Sequence, residues 1–292
     1  MLGLGLIGGS VVRALRDPVR GAGSEAWSIA AWTPHGRGPA AALADGFIDL
    51  AAPSPEAAIE GADLVVLAGP APDCLDELDE LAGAWRSVLA SDVVITDVAS
   101  TKEAIVLRAT ALGLRFVGGH PMAGRETSGY GSSSADLFVD RPWVVVPTSD
   151  AAALERVERL AVACGARPIR LGAAAHDRAV AGISHLPLIV AAALVEAVAG
   201  NGNGGAASPD WATAAGLAAS GWRDTTRLAR GDATMGAGII ATNGPAIAER
   251  VRELVAALEA WLAELERPGG PDSGEVAERL RSARERLEAM PR

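Results

Sequence analysis

The sequence of 292 residues is poor in cysteine, histidine and lysine: it has two cysteines, four histidines and a single lysine, Lys102, among 26 basic residues. Cys74 and Cys164 are too few and too far apart for a disulfide framework, and in the absence of a Cys-x-x-Cys pair no metal site is predicted. The net charge of −10 argues against binding to nucleic acid or to anionic membranes. Any anionic small molecule must therefore be held by local positive charge.

Long apolar runs and targeting segments are also missing. Hydrophobic residues make up 49% of the chain, but no run in the sequence approaches the length of a membrane span. No segment with the pattern of a secretory signal peptide precedes the first glycine-rich motif. We therefore expect a soluble, cytoplasmic protein without a membrane partner, long enough for two domains.

The first ten residues contain a Gly-x-Gly-x-x-Gly array formed by Gly3, Gly5 and Gly8. Such an array gives a tight turn after a strand, a close approach of the backbone to a phosphate, and close packing of helix on sheet. The helical pattern that follows would present its free N–H groups to the anion. The array predicts a dinucleotide site made by these glycines with Leu6 and Ile7.

Only Met1 and Leu2 precede Gly3, although a strand of about five or six residues normally leads into such an array. Either the first strand is very short or the natural start lies upstream. A truncated central strand would lose ladder hydrogen bonds and apolar burial comparable with the stability of a whole domain. We therefore expect the natural protein to begin several residues before Met1.

Short apolar runs alternate with helical patterns through the first 171 residues. Predicted strands lie at 28–32, 64–68, 93–97, 116–118, 143–147 and 167–171. Predicted helices lie at 39–45, 54–60, 74–89, 101–112 and 151–164. This alternation predicts an α/β fold over residues 1–171, a Rossmann-type doubly wound parallel sheet with ligands at the carboxyl ends of its strands.

Residues 172–292 are predicted to form an all-helical domain. A long apolar helix at 176–199 is interrupted by Pro187, and a Gly/Asn loop follows at 201–208. Apolar residues recur at steps of three and four over 247–265, and a charged amphipathic helix follows at 275–290. Such apolar faces are easier to bury if two copies pack together, so a homodimer is expected.

Two segments after predicted strands carry candidate catalytic residues. His120 is predicted to lie in a glycine-rich loop, and its ordinary pKa near 6.5 suits a base that takes a proton from an alcohol. Ser100 follows the strand that ends at Asp97. It is either an N-cap, with Glu103 completing a capping box, or a residue of the site.

The helical region offers side chains that could bind a carboxylate. Arg223 and Arg227 are four residues apart and share a predicted helix face, where a guanidinium can clamp a carboxylate unless Asp224 pairs with Arg227. His176 and His185 would lie on opposite sides of a straight helix, about 180° apart. His185, beside a proline, is the expected pocket residue, and the Asp after His176 is expected to act on its own helix terminus.

Together these segments resemble the prephenate/arogenate dehydrogenase family of tyrosine biosynthesis. The motifs match in order and approximate spacing over nearly the whole chain. They are Gly3-Leu-Gly-Leu-Ile-Gly-Gly-Ser10, Asp97-Val-Ala-Ser-Thr-Lys102, Gly119-His-Pro-Met-Ala-Gly124, His176-Asp177, Ser184-His-Leu-Pro187 and Gly221-Trp-Arg-Asp-Thr-Thr-Arg227.

The resemblance implies a Rossmann domain followed by a helical dimerisation domain, with the active site between them. It implies that His120 accepts the proton of a ring hydroxyl while hydride passes to nicotinamide, after which the ring carboxylate leaves as carbon dioxide. Ser100 would hydrogen-bond the same hydroxyl or orient His120. The substrate would be bound by Arg227, His185, Gly221 and Arg223.

The cofactor is expected to be NAD, with NADP left open. An NAD-type site carries Asp or Glu at the end of the second strand, on the ribose. This chain instead has Thr33 and Arg37 in that region, and either can accommodate a 2′-phosphate. Asp97 is also assigned to the cofactor site.

Two further interpretations and one ambiguity remain. A β-hydroxyacid or imine dehydrogenase of this architecture would usually have a catalytic lysine in the helical domain, whereas Lys102 lies in the first. An NAD-binding redox regulator would not need His120, Ser100 and Arg227 together. Prephenate and arogenate differ only by a keto or an amino group, and the sequence does not distinguish them.

Overall fold

The computed structural model describes residues 1–17, 27–200 and 209–290. The predicted loop at 201–208 lies outside the described residues. The strands are β1 (Ala30–Ala31), β2 (Leu50–Ala51), β3 (Leu64–Leu67), β4 (Val94–Asp97), β5 (Phe116–Val117), β6 (Gly119–Pro121), β7 (Pro142–Val145) and β8 (Arg167–Arg170). The helices are α1 (Leu6–Leu15), α2 (Arg37–Ala44), α3 (Pro55–Ile59), α4 (Ala71–Ala82), α5 (Glu103–Ala111), α6 (Ala151–Ala163), α7 (Ala173–Val180), α8 (Leu186–Ala199), α9 (Trp211–Leu217), α10 (Ser220–Thr225), α11 (Ala233–Leu265) and α12 (Ser273–Glu288).

The first five strands form a parallel arrangement that is joined through Leu2. Strand β1 pairs with β2, and β4 lies between β3 and β5. Leu2 bridges Trp32, just after β1, and Leu67 of β3. Its N–H donates to the Val66 carbonyl at 2.9 Å and its carbonyl accepts from the Ala68 N–H at 2.6 Å. The resulting order, β2-β1-Leu2-β3-β4-β5 with helical connections, confirms the doubly wound fold.

Leu2 occupies the position of a first central strand, although it forms only isolated bridges. Its side chain is fully buried, and Gly3 continues the pairing by donating its N–H to the Trp32 carbonyl at 2.9 Å. The chain as given therefore places a very short strand between two neighbours. A natural start upstream of Met1 stays a prediction.

A second sheet departs from the all-parallel prediction. Strand β6 pairs antiparallel with β7, with His120 opposite Val144, and β7 pairs parallel with β8. The predicted loop position of His120 is therefore wrong. A strand of three residues has no alternation to detect in the sequence, and Gly119 permits it because a Cβ there would lie 2.7 Å from the Asp97 carbonyl oxygen.

From α7 onward the described elements are helical, as predicted. Helix α7, a π-helical turn at Ala181–His185 and α8 are continuous over Ala173–Ala199, so Pro187 does not interrupt the helix. Proline lacks an N–H and clashes with the carbonyl four residues earlier, and the wider turn just before it relieves that conflict.

The same helix corrects the expectation that no apolar run reaches the length of a membrane span. It has 27 residues with a mean hydropathy of 1.8 over its most apolar 18-residue window, of which 22% is buried. Length and composition alone fit a membrane span. A helix that packs against other protein passes the same test, so the observation does not by itself indicate a membrane.

Two compact units are distinguished, Met1–Ile247 and Ala248–Arg292. The first extends well past residue 171 because α7 packs against α5 of the sheet domain. Within the second, the end of α11 and α12 form a hairpin in which the Arg279 guanidinium lies 3.9 Å from the centre of the Trp261 ring. The predicted domain division at 171 stays a prediction.

Candidate active site

The glycine array has the geometry that a dinucleotide loop requires. Gly3 has φ +91°, and a Cβ there would lie 2.6 Å from the Ala68 carbonyl carbon. A Cβ on Gly8 would lie 2.4 Å from the Gly3 carbonyl oxygen, whereas a Cβ on Gly5 would meet nothing within 4 Å. Gly5 is the N-cap of α1, and the first N–H groups of a helix have no intrahelical partner. The array therefore leaves open space and free donors at the place where a pyrophosphate would bind, so these residues fit a dinucleotide.

The region after β1 carries no carboxylate before α2. Thr33 is half-buried and Arg37 is an exposed residue at the start of α2. Gly36, the N-cap of this helix, has φ +64°. These positions are compatible with the expected contacts to the adenosine ribose.

His120 is joined to helix α7 by a hydrogen bond. Its Nδ1 lies 2.8 Å from Nε2 of His176, and Nδ1 of His176 lies 2.7 Å from Oδ1 of Asp177. Asp177 also accepts the backbone N–H groups of Lys102 at 2.8 Å and of Glu103 at 2.9 Å. One carboxylate therefore binds the start of α5 and the ring that contacts His120.

Asp97 and Lys102 form a fully buried ion pair next to this cluster. The Asp97 carboxylate also accepts the N–H groups of Ala99 and Gly119, each at 3.1 Å. Burial raises the pKa of Asp97, while Lys102 and both N–H donors oppose that rise. Asp97 is thus enclosed by protein, which is evidence against its predicted contact with the cofactor. Its visible role is to hold the strand that carries His120.

The charges around His120 favour a neutral imidazole. Burial lowers the pKa of His120 well below 6.5, and the Lys102 cation acts in the same direction. Burial also lowers the pKa of His185 to about 4. Both rings are therefore neutral near pH 7, and His120 is able to accept a proton.

Asn243 holds His185 in place, although no sequence pattern indicated Asn243 as a site residue. The Asn243 side-chain nitrogen lies 3.1 Å from Nδ1 of His185 and donates to the Asp177 carbonyl at 2.9 Å. Nε2 of His185 is buried and has no hydrogen-bond partner in the described part of the chain. His185 therefore holds a donor available for a ligand, in line with its predicted place in the pocket.

The straight α-helix assumed between His176 and His185 is not observed. The π-helical turn at Ala181–His185 changes the angle between the two side chains from the value of a straight α-helix. Both rings are buried. The Asp177 carboxylate contacts His176, and the Asp177 carbonyl accepts from Asn243, which contacts His185. His176 was set aside on the assumption of a straight helix, and its tertiary contact with His120 now identifies it.

Ser100 does not cap α5. This helix begins at Glu103, with Lys102 as the N-cap and no side-chain cap from within its own segment. The cap comes instead from Asp177, which accepts the N–H groups of both residues. The proposed capping box is therefore wrong, and half-buried Ser100 remains as a candidate site residue.

The arginine pair is arranged differently from the prediction. Arg223 lies in α10, which ends at Thr225, and Arg227 begins a separate 3-10 turn, so the two do not share one helix face. Arg227 forms an ion pair with Glu126 and not with Asp224. Gly221, Arg223 and Arg227 are exposed.

Two family models match consecutive parts of the chain. The model described as "Prephenate dehydrogenase, nucleotide-binding domain" matches residues 36–170, and "Prephenate dehydrogenase, dimerization domain" matches residues 172–278. The chain belongs to the prephenate dehydrogenase family. It is accordingly an oxidoreductase, and the interpretations as a β-hydroxyacid dehydrogenase, an imine dehydrogenase or a redox regulator are set aside.

Individual members of the prephenate dehydrogenase family match over most of the chain. A Bacillus subtilis prephenate dehydrogenase is 32% identical over 272 residues, which are 91% of this chain and 68% of that protein. The structure of Synechocystis arogenate dehydrogenase is 29% identical with a TM-score of 0.76, covering 98% of both chains. The Aquifex aeolicus prephenate dehydrogenase complex with hydroxyphenyl propionate and NAD+ is 26% identical with a TM-score of 0.81, covering 99% of this chain and 96% of that one.

Proposed function

We propose that this protein is a cytoplasmic prephenate dehydrogenase that converts prephenate to 4-hydroxyphenylpyruvate and carbon dioxide, with NAD as the hydride acceptor. The observation that carries the proposal is the placement of His120. It is a neutral imidazole with one nitrogen hydrogen-bonded to His176, in a chain whose glycine array fits a dinucleotide. The name of the Bacillus subtilis relative supports the choice of substrate.

The dinucleotide, when bound, supplies the acceptor for the hydride that leaves ring carbon C4. As that hydride leaves, the ring O–H bond breaks, its proton passes to His120, and its electron pair forms a carbonyl. The bond from the ring to its carboxylate then breaks, carbon dioxide leaves, and the electron pair enters the ring. His120 returns the proton to the oxygen to give the phenol. Ser100 would hydrogen-bond the same hydroxyl or orient His120.

Arogenate is the alternative substrate, because the Synechocystis relative is named for it. Purified protein should be assayed for reduced nicotinamide with prephenate and with arogenate, each with NAD and with NADP. We expect the highest kcat/KM, by at least about tenfold or 1.4 kcal/mol, for prephenate with NAD. A higher value for arogenate would assign that substrate, and turnover of neither compound would refute the proposed function.

The choice between the two cofactors depends on residues after β1. Without a carboxylate to bind the ribose hydroxyls, NAD would be held mainly by the glycine array, Leu6 and Ile7. Thr33 and Arg37 could also accommodate a 2′-phosphate. A higher kcat/KM with NADP in the assay above would assign them that role.

Arg227 is proposed to bind a substrate carboxylate, with Arg223, Gly221 and His185 around it. Arg227→Ala is expected to lower kcat/KM roughly ten- to a hundredfold, because a hydrogen bond to a charged group contributes about 1.5–3 kcal/mol. The Kd for the dinucleotide, measured by fluorescence titration, should be nearly unchanged.

The matched control removes the other partner of the Arg227 ion pair. Glu126→Gln leaves the guanidinium in place, and an exposed pair of this kind contributes at most about 1 kcal/mol to stability. Its kcat/KM should equal or exceed the wild-type value. If kcat/KM fell equally in Glu126→Gln and Arg227→Ala, the activity would depend on the ion pair and not on carboxylate binding by Arg227.

A homodimer is proposed on the family description of residues 172–278 as a dimerization domain. In the second unit, side chains of the predicted apolar face of α11 are exposed: Leu258 by 55%, Leu262 by 52% and Leu265 by 62%. A second copy that covered such side chains would gain about 25 cal/mol per Å² of apolar surface.

A further inference from the structure

The hydrogen bonds that run from His120 to Asp177 define which atoms carry hydrogen. Asp177 Oδ1 accepts from the Lys102 N–H and its Oδ2 accepts from the Glu103 N–H. Backbone N–H groups can only donate, so the carboxylate is in the accepting role on both oxygens. Burial acts to raise the pKa of Asp177, but the bonds from His176 and from these two N–H groups outweigh it and hold the pKa below its ordinary value.

An ionised Asp177 has no hydrogen to give, so Nδ1 of His176 must donate to it over their 2.7 Å contact. In a neutral ring the other nitrogen, Nε2, then holds a free electron pair. With the one hydrogen of the His176 ring held on Nδ1, the donor in the 2.8 Å contact between the two rings is Nδ1 of His120. The hydrogen of His120 is thereby assigned to Nδ1, and its Nε2 is left with the free pair.

We propose that His176 and Asp177 are positioning residues that fix the tautomer of His120, so that Nε2 is the atom that takes the hydroxyl proton. The inference rests on the proposed function only in that it needs His120 to act as the base. A carboxylate that fixes an imidazole tautomer through one ring nitrogen is an established device for general bases. Here the effect passes through a second imidazole.

The hydrogen-bonded series His120–His176–Asp177, called the relay below, is held by its surroundings. Asn243 donates to the Asp177 carbonyl at 2.9 Å, and His176 and Asp177 are each 1% exposed. The charged and titratable groups near His120 are Lys102, His176 and His185. When His120 accepts a proton it becomes a stronger donor to His176, and the Asp177 charge at the end of the relay stabilises the cation that forms.

The tautomer can be read directly from long-range proton–nitrogen NMR correlations of the imidazole nitrogens. With four histidines in the chain, the signals can be assigned by single substitutions. We expect His120 in the wild-type protein to carry its hydrogen on Nδ1. A hydrogen on Nε2 would overturn the proposal, whatever the protein does to prephenate.

Variants test whether the relay matters for turnover. His176→Leu removes the acceptor for His120 but leaves Asp177 on the start of α5. We expect kcat to fall at least tenfold with the substrate KM within twofold, and the hydrogen of His120 to appear in part on Nε2. Asp177→Asn should have the same effects, and it also weakens the helix cap, so His176→Leu is the variant that keeps the test valid if Asp177→Asn does not fold.

Thr101→Val is the matched control. Thr101 is fully buried and directly precedes Lys102, at the start of α5. Its hydroxyl lies 2.8 Å from the Thr242 hydroxyl, outside the relay. Its kcat should stay within twofold of the wild-type value even if its Tm falls. A His176→Leu enzyme with near-wild-type kcat, or a Thr101→Val enzyme that loses as much, would refute the positioning role. If the wild type turns over neither substrate, the proposed function fails, and the NMR result still decides the tautomer.

Discussion

His120→Asn is expected to lower kcat by roughly 10² to 10⁴, the usual contribution of a positioned acid–base group. An asparagine side chain cannot take the hydroxyl proton near pH 7. Its amide nitrogen can still donate to Nε2 of His176 in place of the ring Nδ1, so the local structure should persist. The substrate KM should therefore change little in steady-state measurements.

The pH profile provides the second readout for His120. A base must be unprotonated to act, so the wild-type rate should fall as pH decreases through its pKa. Because burial and Lys102 lower the pKa of His120, that decline should lie below pH 6.5, and in the variant it should disappear. A variant with near-wild-type kcat and an intact acidic decline would remove His120 from the mechanism.

Lys102→Met should produce the largest loss of stability. Methionine has a similar length, but it leaves the fully buried Asp97 carboxylate without its cation. Removing one partner of a buried pair lowers the free energy of unfolding by about 3–5 kcal/mol, against a total of about 5–15 kcal/mol for a typical domain. Urea denaturation at pH 8 and fixed protein concentration would measure the difference.

The pH dependence of this loss has a definite sign. The folded-state pKa of Asp97 is already above its ordinary value of 3.8 because of burial, and removal of the lysine should raise it further. An acid with a raised folded-state pKa costs stability when it is ionised, and the cost disappears as the pH falls below its unfolded-state pKa. The deficit of Lys102→Met should therefore be smaller at pH 5 than at pH 8.

The double variant Asp97→Asn/Lys102→Met is the control for the buried charge. It removes both charges and keeps one oxygen that can accept from Ala99 or Gly119, so it should recover much of the lost stability. A deficit below about 1 kcal/mol in the single variant, unchanged between pH 5 and pH 8, would show that the pair contributes little.

Local features of the site were predictable from the sequence, because the residues that define them are close together in the chain. The spacing of Gly3, Gly5 and Gly8 predicts a tight turn, an open approach and close packing, and the positive φ of Gly3 and the short Cβ distances at Gly3 and Gly8 agree with this. The alternation of strands and helices likewise predicts the parallel sheet, because each βαβ unit has a local pattern.

Features that depend on distant contacts were missed or assigned to the wrong residues. The cap of α5 comes from a carboxylate more than seventy residues away. Local rules therefore offered Ser100 as the cap in error. The partner of Arg227 is Glu126 on a distant loop, and not the nearby Asp224. His176 was set aside by a rotation angle that a π-helical turn invalidates.

Asp177 caps the first turn of α5 and also binds the His176 ring that contacts His120. It belongs to the family region that begins at residue 172. The two regions are therefore joined at this point by hydrogen bonds to one carboxylate. A substitution of Asp177 would have to be matched by a new acceptor for the Lys102 and Glu103 N–H groups and for His176. Mutational drift in residues 97–103 and in residues 176–177 should accordingly be coupled, and exchange of either region between distant homologues should require that both segments be transferred together.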